Sequence, residues 1–158
     1  MRKSGSLSTT LIISGVLLFI GSTFLLGVLP NMLKPATSIW LGSGVFKTDI
    51  ASTESGREKG LSGRSDLAAN QALLMVFPDE GDYGIWMKDM KFPIDVVWLN
   101  KDKKVVQIVK DFSIDNSTTR HALMPAQYII ELPAGTVESK AISINSVANF
   151  QIDDEEVK

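Results

Sequence analysis

The chain contains no cysteine, a single histidine and, between Ser4 and Leu33, no charged residue at all. Each shortage removes a class of chemistry. Without cysteine there can be no disulfide framework, no thiolate metal site and no lipid-modified cysteine left by signal cleavage. One histidine, His121, cannot supply a histidine-rich metal site. A Ser-His-Asp arrangement remains formally available because serines are plentiful, yet the G-x-S-x-G elbow that exposes a serine nucleophile is missing. A phosphate-binding glycine loop, internal repeats and low-complexity tracts are missing too.

The uncharged stretch is the strongest positive signal. Residues 7–29 are 23 positions dominated by Leu, Ile, Val, Phe and Gly. A helix rises about 1.5 Å per residue and a bilayer core is about 30 Å thick, so roughly 20 apolar residues span it. A cleaved signal peptide would carry a shorter run, about 7–15 residues, ending at a small-x-small site. Val28-Leu29-Pro30-Asn31 offers none. The expectation is an uncleaved transmembrane anchor. Arg2 and Lys3 precede it and Lys34 alone follows closely. Positive charge is retained inside, which puts residues 1–6 in the cytoplasm and the remainder outside the cell membrane.

Three of the 16 lysines and arginines lie at or before Lys34, leaving 13 against 18 acidic residues in the rest of the chain. Nucleic acid, whose affinity rests on cations meeting phosphates, is a poor partner for so acidic a domain. The tail, residues 153–158, reads as a solvated acidic end.

A linker and first strand occupy residues 30–44, and one domain fills residues 45–152. Strand-like runs fall at 38–41, 45–52, 72–77, 94–99, 104–112, 127–132 and 147–152. Asn100-Lys101-Asp102-Lys103 marks the clearest hairpin. Thr53 can cap a short helix that Gly60 closes, Pro78 to Asp82 reads as a turn, and a second short helical stretch opens at Pro133-Ala134-Gly135. The fold class expected is α+β leaning to all-β: a mostly antiparallel, small β-barrel-like domain with one or two short helices and no long crossover helix to link parallel strands.

The segment "WMKDMKFPID", residues 86–95, poses the question of what Asp95 does before the apolar run Val96-Val97-Trp98-Leu99. Alternation puts Asp95 with Val97 and Leu99, and Glu131 with Gln127 and Ile129. A buried carboxylate must be paired or bonded, or it neutralises. The two carboxylates therefore either fix loops or form an acid–base pair. The structural expectation is that Asp95 caps the turn Lys91-Phe92-Pro93, with Arg64 as partner. His121 reads as a solvated loop residue, and Asp79, Glu80 and Asp82 as a turn rather than a calcium loop. Trp98 belongs to the core; Trp86 is the tryptophan expected to be partly exposed, and Trp40 is a third aromatic that could line a groove.

Four segments in series carry a resemblance. They are Gly60-Leu61-Ser62-Gly63-Arg64; Ala72 to Phe77; Trp86 to Asp95; and Glu131-Leu132-Pro133-Ala134-Gly135. Together they resemble the "domain of unknown function 192" family of small bacterial and archaeal proteins. Asp89-Met90 stands where that family usually has Asn-Thr, Ala72 where it has Gly, Lys103 where it has a hairpin glycine, and Asn145-Ser146 where it has Gly-Asp. The resemblance implies a compact β-barrel-like fold, often behind a signal or anchor, and supplies no reaction.

These readings lead to a membrane-anchored extracytoplasmic binding or accessory module, requiring no cofactor or metal. Its ligand-binding residues are expected among Arg64, Trp86, Lys88, Asp89, Asp95 and Glu131, and its partner is expected to be an envelope protein or glycan. The alternative is an envelope hydrolase using Asp95, Glu131 or His121.

Overall fold

The structure is a computed structural model, and residues 37–114 and 118–152 are described from it. The expected anchor, the start of the linker and the acidic tail lie outside the described residues. Among the described residues no helix is long and apolar enough to cross a membrane.

Among the described residues, eight strands and two short helices follow in the order β1 (Thr37–Leu41), β2 (Gly44–Ala51), α1 (Glu54–Lys59), β3 (Gln71–Gly81), β4 (Gly84–Ile85), β5 (Ile94–Leu99), β6 (Val105–Phe112), β7 (Arg120–His121), β8 (Ala126–Pro133) and α2 (Thr136–Ser139). Six of them form one sheet in the order β1-β2-β3-β8-β5-β6, and β4 pairs with β7 in a separate ribbon. The content is mostly β with two short helices, as the sequence implies.

The sheet carries apolar side chains on both faces, because β5, apart from Asp95, and residues 72–77 of β3 are unbroken apolar runs. Alternation then splits each strand between two cores. Val97, Leu99, Ile130 and Leu132 pack on one face with Leu74, Phe46 and Phe150. Ile94, Val96, Trp98 and Ile129 pack on the other with Met75, Phe77 and Leu61. Trp98 is fully buried and its indole N–H still finds a partner, donating to the Tyr83 carbonyl at 2.9 Å. That bond removes the cost of an orphaned donor in the core.

Three expectations need correction. First, β2 and β3 pair in parallel, through a crossover over residues 52–70 that needs only the six-residue α1. Thr53 caps this helix by accepting from the Gly56 amide at 3.1 Å, and Gly60 ends it at φ +50°. Arg57 then ties α1 down by donating to the Ser52 carbonyl and, at 2.8 Å, to that of Val76 on β3. Second, the sheet is not closed into a barrel. The segment expected as a closing strand, residues 147–152, forms no strand of the sheet: it makes isolated bridges, Asn149 to Trp40 on β1 and Val147 to Lys104 just before β6. Third, β3 runs through the expected turn at Pro78, which falls where pairing with β8 slips between Val76 and Gly81. Proline lacks the N–H that a regular ladder needs, so an irregularity is where it fits. The Gln127 amide spans the slip, donating to the Phe77 and Pro78 carbonyls at 3.2 and 3.1 Å.

Several departures from the family pattern sit where the backbone is left-handed. Asp89, Lys103 and Asn145 have φ of +57°, +59° and +73°. Asp and Asn tolerate that region better than most residues. Lysine does not, and Lys103 is held there by its ammonium, which donates to the Phe150 carbonyl at 2.7 Å and lies 4.4 Å from the Phe150 ring centre.

Candidate functional site

On the Trp98 side of the sheet the core opens into a cleft of about 500 Å³. The end of α1 and Gly60-Leu61-Ser62 form one wall. Residues 82–86, with Met90 and Thr119, form the other, and Met75, Phe77 and Glu131 make the floor. The size suits a small organic group.

Aromatic packing fixes the walls. Tyr83 stacks on Phe77 with ring centres 3.6 Å apart and planes 10° from parallel. The Arg57 guanidinium lies 4.9 Å from the Phe77 centroid, so its two carbonyl bonds and this ring use it as a brace for the wall. Trp86 sits at the mouth, 43% exposed, with the Lys88 ammonium 5.5 Å from its ring centre.

Glu131 is the anomaly. It is 3% exposed, and its Oε2 has no hydrogen-bond partner. It projects from β8 beside Leu73 and Val96, both part of the Trp98-side core. Burial pushes its carboxyl up to about 8, while the Arg64 guanidinium pulls in the opposite direction. The carboxyl is therefore neutral at pH 7: desolvation penalises the charged form more than one partly exposed cation can repay. Gly60 permits the close approach above it. A Cβ at Gly60 would stand 3.5 and 3.7 Å from the two Glu131 oxygens and 3.2 Å from the Met75 methyl, at a φ of +50° that side chains rarely adopt. The glycine of the first family segment thus meets the glutamate of the last.

Of the six residues expected to bind a ligand, Trp86 and Glu131 line this cleft and Arg64, Lys88, Asp89 and Asp95 do not. Arg64 donates to Asp49 at 2.8 Å, an exposed pair, and acts on Glu131 only through its field. Lys88 covers the outer face of Trp86, and its carbonyl accepts from the Ser62 hydroxyl at 2.8 Å. Asp89 shapes a turn, its carbonyl accepting from the Gly63 amide at 3.0 Å.

Asp95 does not cap the turn at Lys91-Phe92-Pro93, and Arg64 is not its partner. It lies fully buried on the opposite face, opposite Leu132. Its Oδ1 accepts from the Asp111 amide at 2.9 Å and its Oδ2 from the Val137 amide at 2.8 Å. Residue 135, at the N-cap of α2, is a glycine with no capping side chain, so Asp95 supplies the missing acceptor from a neighbouring strand. Two faces of one sheet separate Asp95 from Glu131, and the two carboxylates form no acid–base pair.

His121 is not a free loop residue either. Its Nδ1 is 2.9 Å from Asp82 Oδ1 at the edge of the cleft, with both side chains at least half exposed. Asp79 and Glu80 are used in turns, the Asp79 carbonyl by the Tyr83 hydroxyl at 3.2 Å and the Glu80 carboxylate by the Lys101 amide at 2.9 Å. Sequence reasoning missed Met75, Phe77, Tyr83 and Gly60 as cleft residues. Gly60, Met75 and Phe77 carried a signal as members of the family segments, and Tyr83 carried none.

Among curated proteins none matches the chain. Two solved structures share its fold. One is a protein of unknown function from Novosphingobium aromaticivorans DSM 12444, with a TM-score of 0.67 and 20% identity over 72% of this chain and 83% of that one. The other is described as a candidate transcription regulator from Sinorhizobium meliloti 1021, with a TM-score of 0.70 and 22% identity over 75% of this chain and 96% of that one. At these identities the likeness speaks for the fold alone. The DUF192 family, described as uncharacterized ACR, matches residues 38–150. The chain belongs to that family.

Proposed function

We propose that the chain is a membrane-anchored, extracytoplasmic binding module whose ligand enters the cleft between α1 and Trp86. The observation that carries this reading is the Glu131 carboxyl, buried on the floor with Oε2 unpartnered. An unbonded polar atom under apolar cover costs about 1–3 kcal/mol. A ligand that bonds it recovers that cost on binding. Trp86 adds an exposed flat surface at the mouth, the kind of anchor that dominates recognition. The apolar run at residues 7–29 and the positive charges before it support a tether with the domain outside. The partner class is a protein or glycan of the envelope.

A hydrolase built on Asp95 and Glu131 is disfavoured by their positions on opposite faces of the sheet. The test uses the full chain in its own membranes. Alkaline carbonate should leave it in the pellet, with the domain open to protease from outside. Affinity capture should recover a partner with wild type and lose it with Trp86→Ala. Recovery of the same partners by both proteins would remove the cleft from consideration, and release of a shortened soluble form would remove the tether.

A further inference from the structure

The chemistry of the cleft narrows its ligand, on the reading that the cleft is the binding site. We propose that it takes an uncharged, carbonyl-bearing apolar group, and that Glu131 holds that group as the protonated acid, donating its hydrogen bond to the carbonyl oxygen.

Around Glu131 the lining includes Met75, Phe77, Ile85, Met90 and the Tyr83 ring, with the charged side chains of α1 and Asp82 on the walls, so a charged group seated among these apolar side chains would lose its hydration with little returned. The guanidinium groups nearby are engaged: Arg57 bonds the Ser52 and Val76 carbonyls, and Arg64 pairs with Asp49, while the Lys59 ammonium belongs to the α1 wall rather than to the floor. An anion therefore finds no free guanidinium at the floor. A sugar ring would bring several hydroxyls to a floor where Glu131 Oε2 is, among the described residues, the one buried side-chain polar atom without a partner. A single carbonyl on a flat or branched apolar body matches one carboxyl among hydrophobic walls. The orientation of that bond follows from the protonation state, since burial keeps the Glu131 proton on up to about pH 8.

The charges that face Glu131 support this state. Glu54 and Glu58 from α1, and Asp82 from the opposite wall, oppose ionisation; Arg57 and Lys59 favour it. Arg64 also favours it, with part of its field offset by Asp49, and the ring of His121 sits against Asp82 rather than against Glu131. Four carboxylates, Glu54, Glu58, Asp82 and Asp49, thus stand against three cations, Arg57, Lys59 and Arg64, so the surroundings carry no net positive charge.

The experiment uses the full chain in nanodiscs, with empty nanodiscs as blank, and follows fluorine line broadening of four probes. They are 4-fluorobenzamide, 4-fluorobenzoate, a 4-fluorobenzyl-trimethylammonium ion and 2-deoxy-2-fluoroglucose, each at about pH 6 and about pH 9, where circular dichroism verifies the fold. If only the acid form binds, a group titrating at about 8 is some one-tenth protonated at about pH 9, so amide affinity should fall about tenfold from the lower pH to the higher. Glu131→Gln, which still donates, should bind the amide with no pH dependence. Should that variant fail to fold, the wild-type ranking of probes and its pH profile decide alone. A cation that binds more tightly than the amide, and better as pH rises, would overturn the proposal, as would preference for the benzoate or the sugar. Amide binding that is flat with pH in wild type but lost in Trp86→Ala would keep the cleft and reject the role of Glu131. No binding of any probe would reject both.

Discussion

Glu131 makes the stability of this domain depend on pH in an unusual direction. Paired carboxylates are ordinarily easier to ionise in the folded state, and acid unfolds them. Here the folded carboxyl holds its proton to about 8, against 4.5 as the ordinary value. Between those values the folded state keeps a proton that the unfolded chain has released. The stabilisation from that proton is fully present below 4.5, declines as pH rises, and is gone above about 8. The slope for one proton is about 1.4 kcal/mol per pH unit, so across the window the loss is on the order of 5 kcal/mol. That is a large part of the stability of a small domain, about 5–15 kcal/mol. Glu131→Gln has nearly the same shape and no charge to bury. Urea unfolding of the full chain in detergent, repeated across the window, should give a midpoint that falls with pH in wild type and stays nearly level in the variant. The variant should be the more stable protein above about pH 8 and close to wild type near pH 4. Parallel pH profiles for the two proteins would refute the assignment of a buried neutral carboxyl.

Asp95→Ala removes two hydrogen bonds to a buried carboxylate and leaves the Asp111 and Val137 amides without their acceptor. At about 1.5–3 kcal/mol for each bond to a charged group, urea unfolding should show a loss of about 3–6 kcal/mol. Capture of a partner through the cleft should survive wherever the variant is folded, because Asp95 lies on the other face of the sheet. Arg64→Gln deletes the cation that holds Glu131 down. Its exposed pairing with Asp49 is worth little, about 0–1 kcal/mol. The falling limb of the stability profile should therefore extend to higher pH, with little change in stability below 4.5. A falling limb that ends at the same pH as wild type would show that the Arg64 field does not reach the floor. Gly60→Ala places a methyl 3.2 Å from the Met75 methyl at a left-handed φ, and should cost about 1–2 kcal/mol in the same assay.

The strands were legible where their residues left no alternative. The run Val96-Val97-Trp98-Leu99 reads as a buried strand from β-branched and aromatic content alone, and alternation correctly divides its side chains between two faces. The Thr53 cap, the Gly60 stop and the Asn100–Lys103 hairpin are local events, and local chemistry specified them. In the hairpin, Asn100 Oδ1 accepts from the Asp102 and Lys104 amides at 3.1 and 2.9 Å, a contact within five residues of chain. The family too was readable, because its four segments keep their order and spacing.

The partners of the buried acids were not readable. Val137 is 42 residues from Asp95, and no local pattern says that a strand carboxylate will cap a helix whose own N-cap is a glycine. The parallel pairing of β2 with β3 depends on a crossover folding back over the sheet, a choice made by the packing of Leu61 and the bonds of Arg57 rather than by helix length. Sequence alone determined where the six strands of the main sheet begin, which faces are apolar and which family the chain resembles, because periodicity, caps and turns act over a few neighbouring positions. Only the tertiary structure decided that Glu131 would sit unpaired beneath Gly60 while Asp95 went to the opposite side. Burial and partner choice are set by which strands become neighbours, and that depends on the whole sheet at once.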